Sequence, residues 1–340
     1  MGKLLVTGGC GFIGSNLMDR LLARGERAVA FDNLSRRGAV KNADWLRAKY
    51  GARFELIQAD VRDARAIADA ARDADTIYHL AGQVAVTTSV ADPRTDFEIN
   101  ALGAFNVLEA ARTSGRNPIF VYASTNKVYG GMDDVAVVER ATRYEFRDLP
   151  GGVSEAQPLD FHSPYGNSKG SADQYTRDYY RIYGLRSVVF RQSAIYGTRQ
   201  FGVEDQGWLA WFIIAAVLGK PITIYGDGKQ VRDMLYVDDL LDAYDAAVAR
   251  IDRVAGRVYN MGGGPRNSLS VWTEFSPMLE KLLGKPIPVA RGDWRPGDQR
   301  VCVYDCSKAA RELDWQPKIS VKVGVERLFN WVKGNVDLFE

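Results

Sequence analysis

Lys3-Leu4-Leu5-Val6-Thr7-Gly8-Gly9-Cys10-Gly11-Phe12-Ile13-Gly14 opens the chain with an apolar run, a glycine turn and the start of a helical pattern. Gly8, Gly11 and Gly14 suit three tasks: a tight turn, close approach of backbone to a pyrophosphate, and packing of helix on strand. A helix beginning near Phe12 and Ile13 turns free N–H groups toward an anion. Asp32 ends the next apolar run, where a carboxylate accepts from the ribose hydroxyls of an adenosine. Such an acceptor disfavours a 2′-phosphate, so NAD is the expected cofactor; Arg36 and Arg37 just behind read as a solvated loop pair. Asp60 and Val61 close the third run and are placed to meet the adenine. Leu80-Ala81-Gly82, after the fourth, are placed to pass the pyrophosphate.

Outward from that turn, residues 4–7, 28–32, 54–60, 76–81 and 119–124 read as buried strands alternating with helical patterns, the signature of βαβ units and a parallel sheet. A helix at 163–183 and a strand at 186–191 follow. Beyond them the pattern loosens, with strands at 221–225, 257–261 and 286–289 between helices at 204–219, 237–251, 270–283 and 321–333. The expected fold is α/β: a Rossmann-type doubly wound parallel sheet with a smaller mixed α/β substrate-binding domain. Residues 1–185 are assigned mainly to NAD binding and 186–340 mainly to substrate, the two interleaved. The polar stretch 132–159, broken by Pro150-Gly151-Gly152, reads as a loop beside the site.

Composition narrows the partners. With 44 basic and 42 acidic residues the formal charge is +2, which gives no field for nucleic acid and no polybasic run for a membrane surface. The expected partner is a small molecule. Cys10, Cys302 and Cys306 match neither a disulfide framework nor a zinc motif, so no metal is expected and a reducing, cytoplasmic setting is.

Tyr165-Gly166-Asn167-Ser168-Lys169 follows Ser163-Pro164, a helix-start signal, so Tyr165 and Lys169 share one helical face. An ammonium close to a phenol favours the phenolate, which makes Tyr165 a proton acceptor. Ser124-Thr125-Asn126-Lys127-Val128-Tyr129-Gly130 ends a strand, and a hydroxyl there can orient a reacting sugar oxygen.

Together these motifs, with Arg232-Asp233-x-x-Tyr236-Val237-x-Asp239, resemble the extended short-chain dehydrogenase/reductase family of nucleotide-sugar enzymes over essentially the whole chain. The resemblance implies catalysis by Thr125, Tyr165 and Lys169, with Asn33 and Asn100 joining the cofactor site. Members that dehydrate carry Asp-Glu where this chain has Asn126-Lys127, and decarboxylating members keep an acid at the second position. Oxidation to a ketone and reduction on the other face remain, which is epimerisation. A narrower likeness to 2-epimerases rests on 124–129, on 152–155 and on 199–208. Relatives place a phosphate-holding asparagine where Ala194 stands, so Arg232 and Arg295 are the expected phosphate contacts. Ser124, Asn126, Lys127, Gln192, Ser193, Tyr196, Arg199, Gln206, Trp208, Tyr225 and Asp298 complete the expected substrate site. The expected substrate is a CDP-, GDP- or UDP-linked sugar, and family habit implies a homo-oligomer, dimer or tetramer. A 4-epimerase, and a catalytically silent binder on the same fold, stay open.

Overall fold

The computed structural model describes residues 2–295 and 298–340. In chain order it runs through β1 (Lys3–Thr7), α1 (Phe12–Ala23), β2 (Arg27–Phe31), α2 (Ala39–Tyr50), β3 (Glu55–Ile57), α3 (Ala64–Ala71) and β4 (Ala74–His79). Then come α4 (Val86–Ala91), α5 (Pro93–Phe97), a π-helical turn (Glu98–Leu102), α6 (Gly103–Thr113) and β5 (Ile119–Thr125). A hairpin of β6 (Val137–Glu139) and β7 (Tyr144–Phe146) precedes α7 (Ser163–Tyr183), β8 (Ser187–Gln192) and β9 (Ala194–Tyr196). The remainder is α8 (Trp208–Leu218), β10 (Thr223–Tyr225), β11 (Val231–Tyr236), α9 (Val237–Ala249), α10 (Ile251–Val254), β12 (Val258–Met261), β13 (Ser268–Ser270), α11 (Phe275–Leu283), β14 (Ala290–Gly292), β15 (Val301–Cys302), α12 (Ser307–Leu313) and α13 (Val321–Lys333).

Two compact units emerge, the first from Met1–Val128, Ser163–Arg191 and Leu241–Tyr259, the second from Tyr129–His162, Gln192–Leu240 and Asn260–Glu340. The division expected at residue 185 differs from this. β8 belongs to the first unit's sheet, and the chain returns to that sheet with β12 at its edge, next to β8.

The first unit is built on seven strands in the order β12-β8-β5-β4-β1-β2-β3, and the strands from β5 to β3 pair in parallel. Helices cover both faces, which is why Leu5, Val29, Phe31, Ile77 and Phe120 read as unbroken apolar runs. Strand order reverses between β4 and β2 on either side of β1, and a crevice at the carboxyl ends of the strands opens at such a reversal. The glycine turn leaves β1 there.

The second unit carries a small sheet in which β11 pairs antiparallel with β13 and parallel with β15 and β9. β11 escaped the sequence reading because Arg232 and Asp233 interrupt its apolar pattern. The strand expected at 286–289 lies instead at β14, parallel to β10. Pro286 and Pro288 have no ladder donor, so pairing begins only beyond them. The stretch 132–159 is not wholly irregular, since it holds the β6–β7 hairpin. No described helix is long and apolar enough to cross a membrane.

Candidate active site

The cofactor half is built entirely in the first unit. Gly8 has φ +69°, and a side chain there would stand 2.7 Å from the Ala81 nitrogen. At Gly14 a Cβ would come within 2.0 Å of the Gly8 carbonyl oxygen, so only glycine lets α1 sit this close to the turn. Gly11 is the N-cap of α1 and no side chain caps the helix, leaving the N–H groups at Phe12, Ile13 and Gly14 to an anion. Asp32 accepts from the Cys10 N–H at 2.9 Å and the Leu34 N–H at 2.8 Å, which ties the turn to the loop after β2. Burial raises its pKa and these backbone bonds oppose the rise. With the Gly11 N–H as a third backbone donor, the carboxylate still keeps one of its four lone-pair sites for a ribose hydroxyl. The residues therefore fit a dinucleotide with an unphosphorylated adenosine ribose.

Asn33 donates to Asp60 at 2.8 Å, and the guanidinium of Arg62 holds the Asp60 carboxyl down at about 2. Val61 is buried against Gly103 on α6. Leu80 and Ala81 donate to the carbonyl and hydroxyl of Thr7. Gly82 lies between Asn100 and Lys169: a Cβ there would stand 2.8 Å from Asn100 Oδ1 and 3.9 Å from Lys169 Nζ. Asn100, on the π-helical turn, clasps both backbone groups of Gln83 at 3.0 Å.

The catalytic helix α7 starts at Ser163, as its Ser-Pro signal predicts. Tyr165 is buried, its N–H donates to Ser89 Oγ at 3.1 Å, and its hydroxyl bonds to Thr125. Lys169 Nζ donates to the Ala123 carbonyl at 2.6 Å and stands 4.4 Å from the Tyr122 ring centroid. Thr125, Tyr165 and Lys169 thus converge at the carboxyl end of β5. The expectation that Lys169 depresses the Tyr165 pKa needs correction. Burial raises Tyr165, with Asp96 also raising it; Thr125 and Arg36 pull it down. Burial brings Lys169 down to about 7 against Asp173 and Asp96. The Arg36 side chain keeps solvent access, yet the protein around it desolvates the guanidinium and lowers its pKa, and its charge reaches the phenol, so it is not the plain solvated loop residue expected.

Several residues expected to touch substrate are engaged elsewhere. Ser124 is buried and its Oγ donates to Asp173 on α7 at 2.8 Å. Asp173 also forms a buried ion pair with Arg191, at 2.9 Å. Asn126 and Lys127 occupy the helical turn that follows Thr125, and the Lys127 N–H donates to Thr125 Oγ1 at 3.3 Å.

The second unit holds the rest. Ser193 hydrogen-bonds Asp233, a buried carboxylate raised to about 6 by burial, and is structural. Tyr196 is 1 % exposed, packs edge-on against Tyr236 and abuts Gly324 on α13, so it is a core residue and not a pocket wall. Trp208 is half-buried and packs edge-on against Phe275 and Phe212. Arg199 lies over the Trp331 ring, Gln206 closes a two-way backbone turn with Val203, and Gln192 is buried at the end of β8. Arg232 pairs with Asp298 at 2.6 Å. Arg295 stacks 4.0 Å from the Tyr225 ring and pairs with Asp205, while Tyr225 OH donates to Glu204 at 2.9 Å. Pro296 and Gly297, between Arg295 and Asp298, lie outside the described residues. Asp96, Asp173 and Glu204 were missed by sequence reasoning. Asp173 stands four residues after Lys169 and Asp96 four before Asn100, the helical spacing that would have flagged both.

Comparison with known proteins places the chain in a family. Residues 5–328 match the family described as GDP-mannose 4,6 dehydratase. The CDP-paratose 2-epimerase of Salmonella typhi is 46% identical over 97% of this chain and 98% of its own length. The crystal structure of the UDP-glucose 4-epimerase of Thermotoga maritima with UDP-glucose superposes with a TM-score of 0.84 at 29% identity, covering 98% of this chain and 99% of that one. A dTDP-glucose 4,6-dehydratase from Streptomyces venezuelae, solved with NAD bound, gives a TM-score of 0.84 at 29% identity over 99% of both chains. The chain belongs to the GDP-mannose 4,6 dehydratase family, within the extended short-chain dehydrogenases/reductases. It is an NAD-dependent enzyme of the nucleotide-sugar epimerase and dehydratase type.

Proposed function

We propose that the chain is a nucleotide-sugar 2-epimerase acting on a CDP-linked sugar, as the 46%-identical relative's name describes. The observation that carries this is the Thr125–Tyr165–Lys169 cluster beside Asn126-Lys127. Elimination of water needs an acid and a base next to Thr125, and an amide with an ammonium supplies neither carboxylate. Bound NAD supplies a hydride acceptor and a positive ring. Thr125 and Tyr165 hold the sugar 2-hydroxyl, and Tyr165 takes its proton as the carbon is oxidised to a 2-keto sugar. The keto sugar then turns its other face and is reduced, with Tyr165 returning the proton. Arg232 and Arg295 anchor the nucleotide diphosphate while the sugar turns, because a guanidinium meets phosphate oxygens bidentately.

The test is to incubate the protein with CDP-, GDP- and UDP-linked hexoses and deoxyhexoses and to identify by NMR which carbon inverts. Inversion at carbon 2 is the expected result and names the nucleotide; inversion at carbon 4 makes the enzyme a 4-epimerase with the same catalytic residues.

We further propose that two copies associate through the first unit. Phe97, Phe105, Tyr175 and Tyr183 are exposed on α5, α6 and α7, and Phe105 meets Tyr175 edge-on at 5.9 Å. An aromatic surface of this kind marks an association face. Sedimentation should show a dimer or larger species, and the pair Phe97→Glu with Tyr175→Glu should sediment as a monomer; a monomeric wild type would end this proposal.

A further inference from the structure

The groups acting on Lys169 and Tyr165 all lie in the first unit. Around the Lys169 ammonium stand the Ala123 carbonyl and Tyr122 ring from β5, Asp173 from α7 and Asp96 from α5. His79 from β4 stacks behind Tyr122 at 5.7 Å and is neutral, held at about 3 by burial and by the Lys169 charge. Tyr165 meets Thr125 from β5 and Ser89 from α4, and it feels Arg36 and again Asp96. The other acids on packed elements are spoken for: Glu98 on the π-helical turn lies near Arg62 and Arg94, and Glu109 on α6 is held by Arg112 and Tyr179.

The two buried carboxylates differ in one respect. Asp173 is one half of the ion pair with Arg191. Asp96 is 1 % exposed and accepts from two neutral donors, Ser168 Oγ at 2.5 Å and Asn100 Nδ2 at 3.0 Å. Among the described residues no cation forms an ion pair with it. Ser168 immediately precedes Lys169, and Asn100 clasps Gln83, so this carboxylate joins the catalytic helix to the strand end that borders the cofactor turn. Burial raises the pKa of Asp96, and the bonds from Ser168 and Asn100, with the Lys169 charge, oppose the rise. As a carboxylate without an ion-pair partner it acts on the nearest titrating groups across a poorly screening medium.

We propose that Asp96 is a positioning residue: beside Asp173 its carboxylate is a second counter-charge that favours the Lys169 ammonium, and through Ser168 and Asn100 it helps place the pH window in which Tyr165 exchanges its proton. This rests on the reading of Tyr165 and Lys169 as the proton-handling pair. Removing one negative charge favours the Tyr165 phenolate and disfavours the Lys169 ammonium, so both pKa values fall. The rate needs an ionised Tyr165 and a charged Lys169, and because burial holds Tyr165 above Lys169 the acid limb bends at the Lys169 pKa and the alkaline limb at the Tyr165 pKa; both limbs then move in the same direction, to lower pH. Loss of a merely structural contact lowers the rate and leaves both limbs where they were.

The experiment uses the NAD-loaded enzyme and the variants Asp96→Asn, Asp96→Ser and Asp96→Glu, with folding checked by thermal unfolding. The Tyr165 phenol is titrated by ultraviolet difference absorbance with Tyr165→Phe subtracted, and the pH–rate profile is recorded beside it. Both neutral variants should shift the phenol titration and both limbs down by about one pH unit, the low end of what one buried charge does to a neighbour. Asp96→Glu keeps the charge and should hold the limbs near their wild-type positions. Two neutral variants keep the comparison intact if one folds poorly. Limbs that stay fixed, or that move apart, would overturn the proposal. The phenol titration needs no turnover, so it judges Asp96 whichever carbon inverts; failure of the Tyr165 assignment would show separately, as wild-type turnover by Tyr165→Phe.

Discussion

Replacing Tyr165 by phenylalanine should lower turnover about 10²–10⁴-fold, the span a positioned general acid–base contributes. The fold should survive, because the hydroxyl makes one hydrogen bond, to Thr125, and the ring stays buried where it is. Loss of such a bond costs about 1 kcal/mol. KM for the nucleotide sugar should change little, since the diphosphate contacts proposed for Arg232 and Arg295 are untouched. Steady-state assays of both parameters, with product identified by NMR, make the check. The pH profile adds a second reading. In the wild type Tyr165 is held up by burial, so activity falls as acid keeps the phenol protonated; in the variant the acid limb should vanish from whatever rate remains. Turnover close to that of wild type would remove Tyr165 from the mechanism.

The part of this site that was legible in the sequence is the part in which backbone geometry dictates residue type. Gly8 and Gly14 admit no side chain, and the turn they make leads into a helix start, so the cofactor half could be placed from residue spacing alone. Tyr165 and Lys169 were legible for a similar reason: four residues on a helix always share a face. What stayed hidden was the direction of side chains on short strands. Ser124 and Thr125 are adjacent hydroxyls, and alternation along β5 sends one inward to Asp173 and the other to Tyr165. Motif position names Thr125 as the catalytic hydroxyl and Ser124 as a substrate contact, and spacing alone does not tell which way either side chain turns. Tyr196 packs into the core because an aromatic residue near a motif serves a core as readily as a pocket. The sign of the Tyr165 shift was out of reach for another reason. It depends on burial and on Asp96, a residue far away in sequence that the fold brings beneath α7.

Arg191→Met is expected to be the most damaging single change to stability. The guanidinium and the Asp173 carboxylate are almost wholly buried, joined through Nε at 2.9 Å and Nη2 at 3.1 Å. Methionine fills much of the same volume but leaves the Asp173 carboxylate without its guanidinium, hydrogen-bonded to the neutral donors Ser124 and Gln174. Breaking a buried pair from one side costs about 3–5 kcal/mol, a large share of the stability of an ordinary domain. Urea unfolding followed by circular dichroism should show a lower midpoint with an unchanged slope. The double variant Asp173→Leu with Arg191→Met removes both charges, and such replacements are commonly neutral or stabilising, so most of the loss should be recovered. Activity need not return with it. Asp173 holds Ser124, and Ser124 precedes Thr125, so a refilled but apolar site should leave a stable chain with slower oxidation of the sugar. A double variant as unstable as Arg191→Met alone would mean that packing around the guanidinium, and not the stranded carboxylate, was the source of the loss.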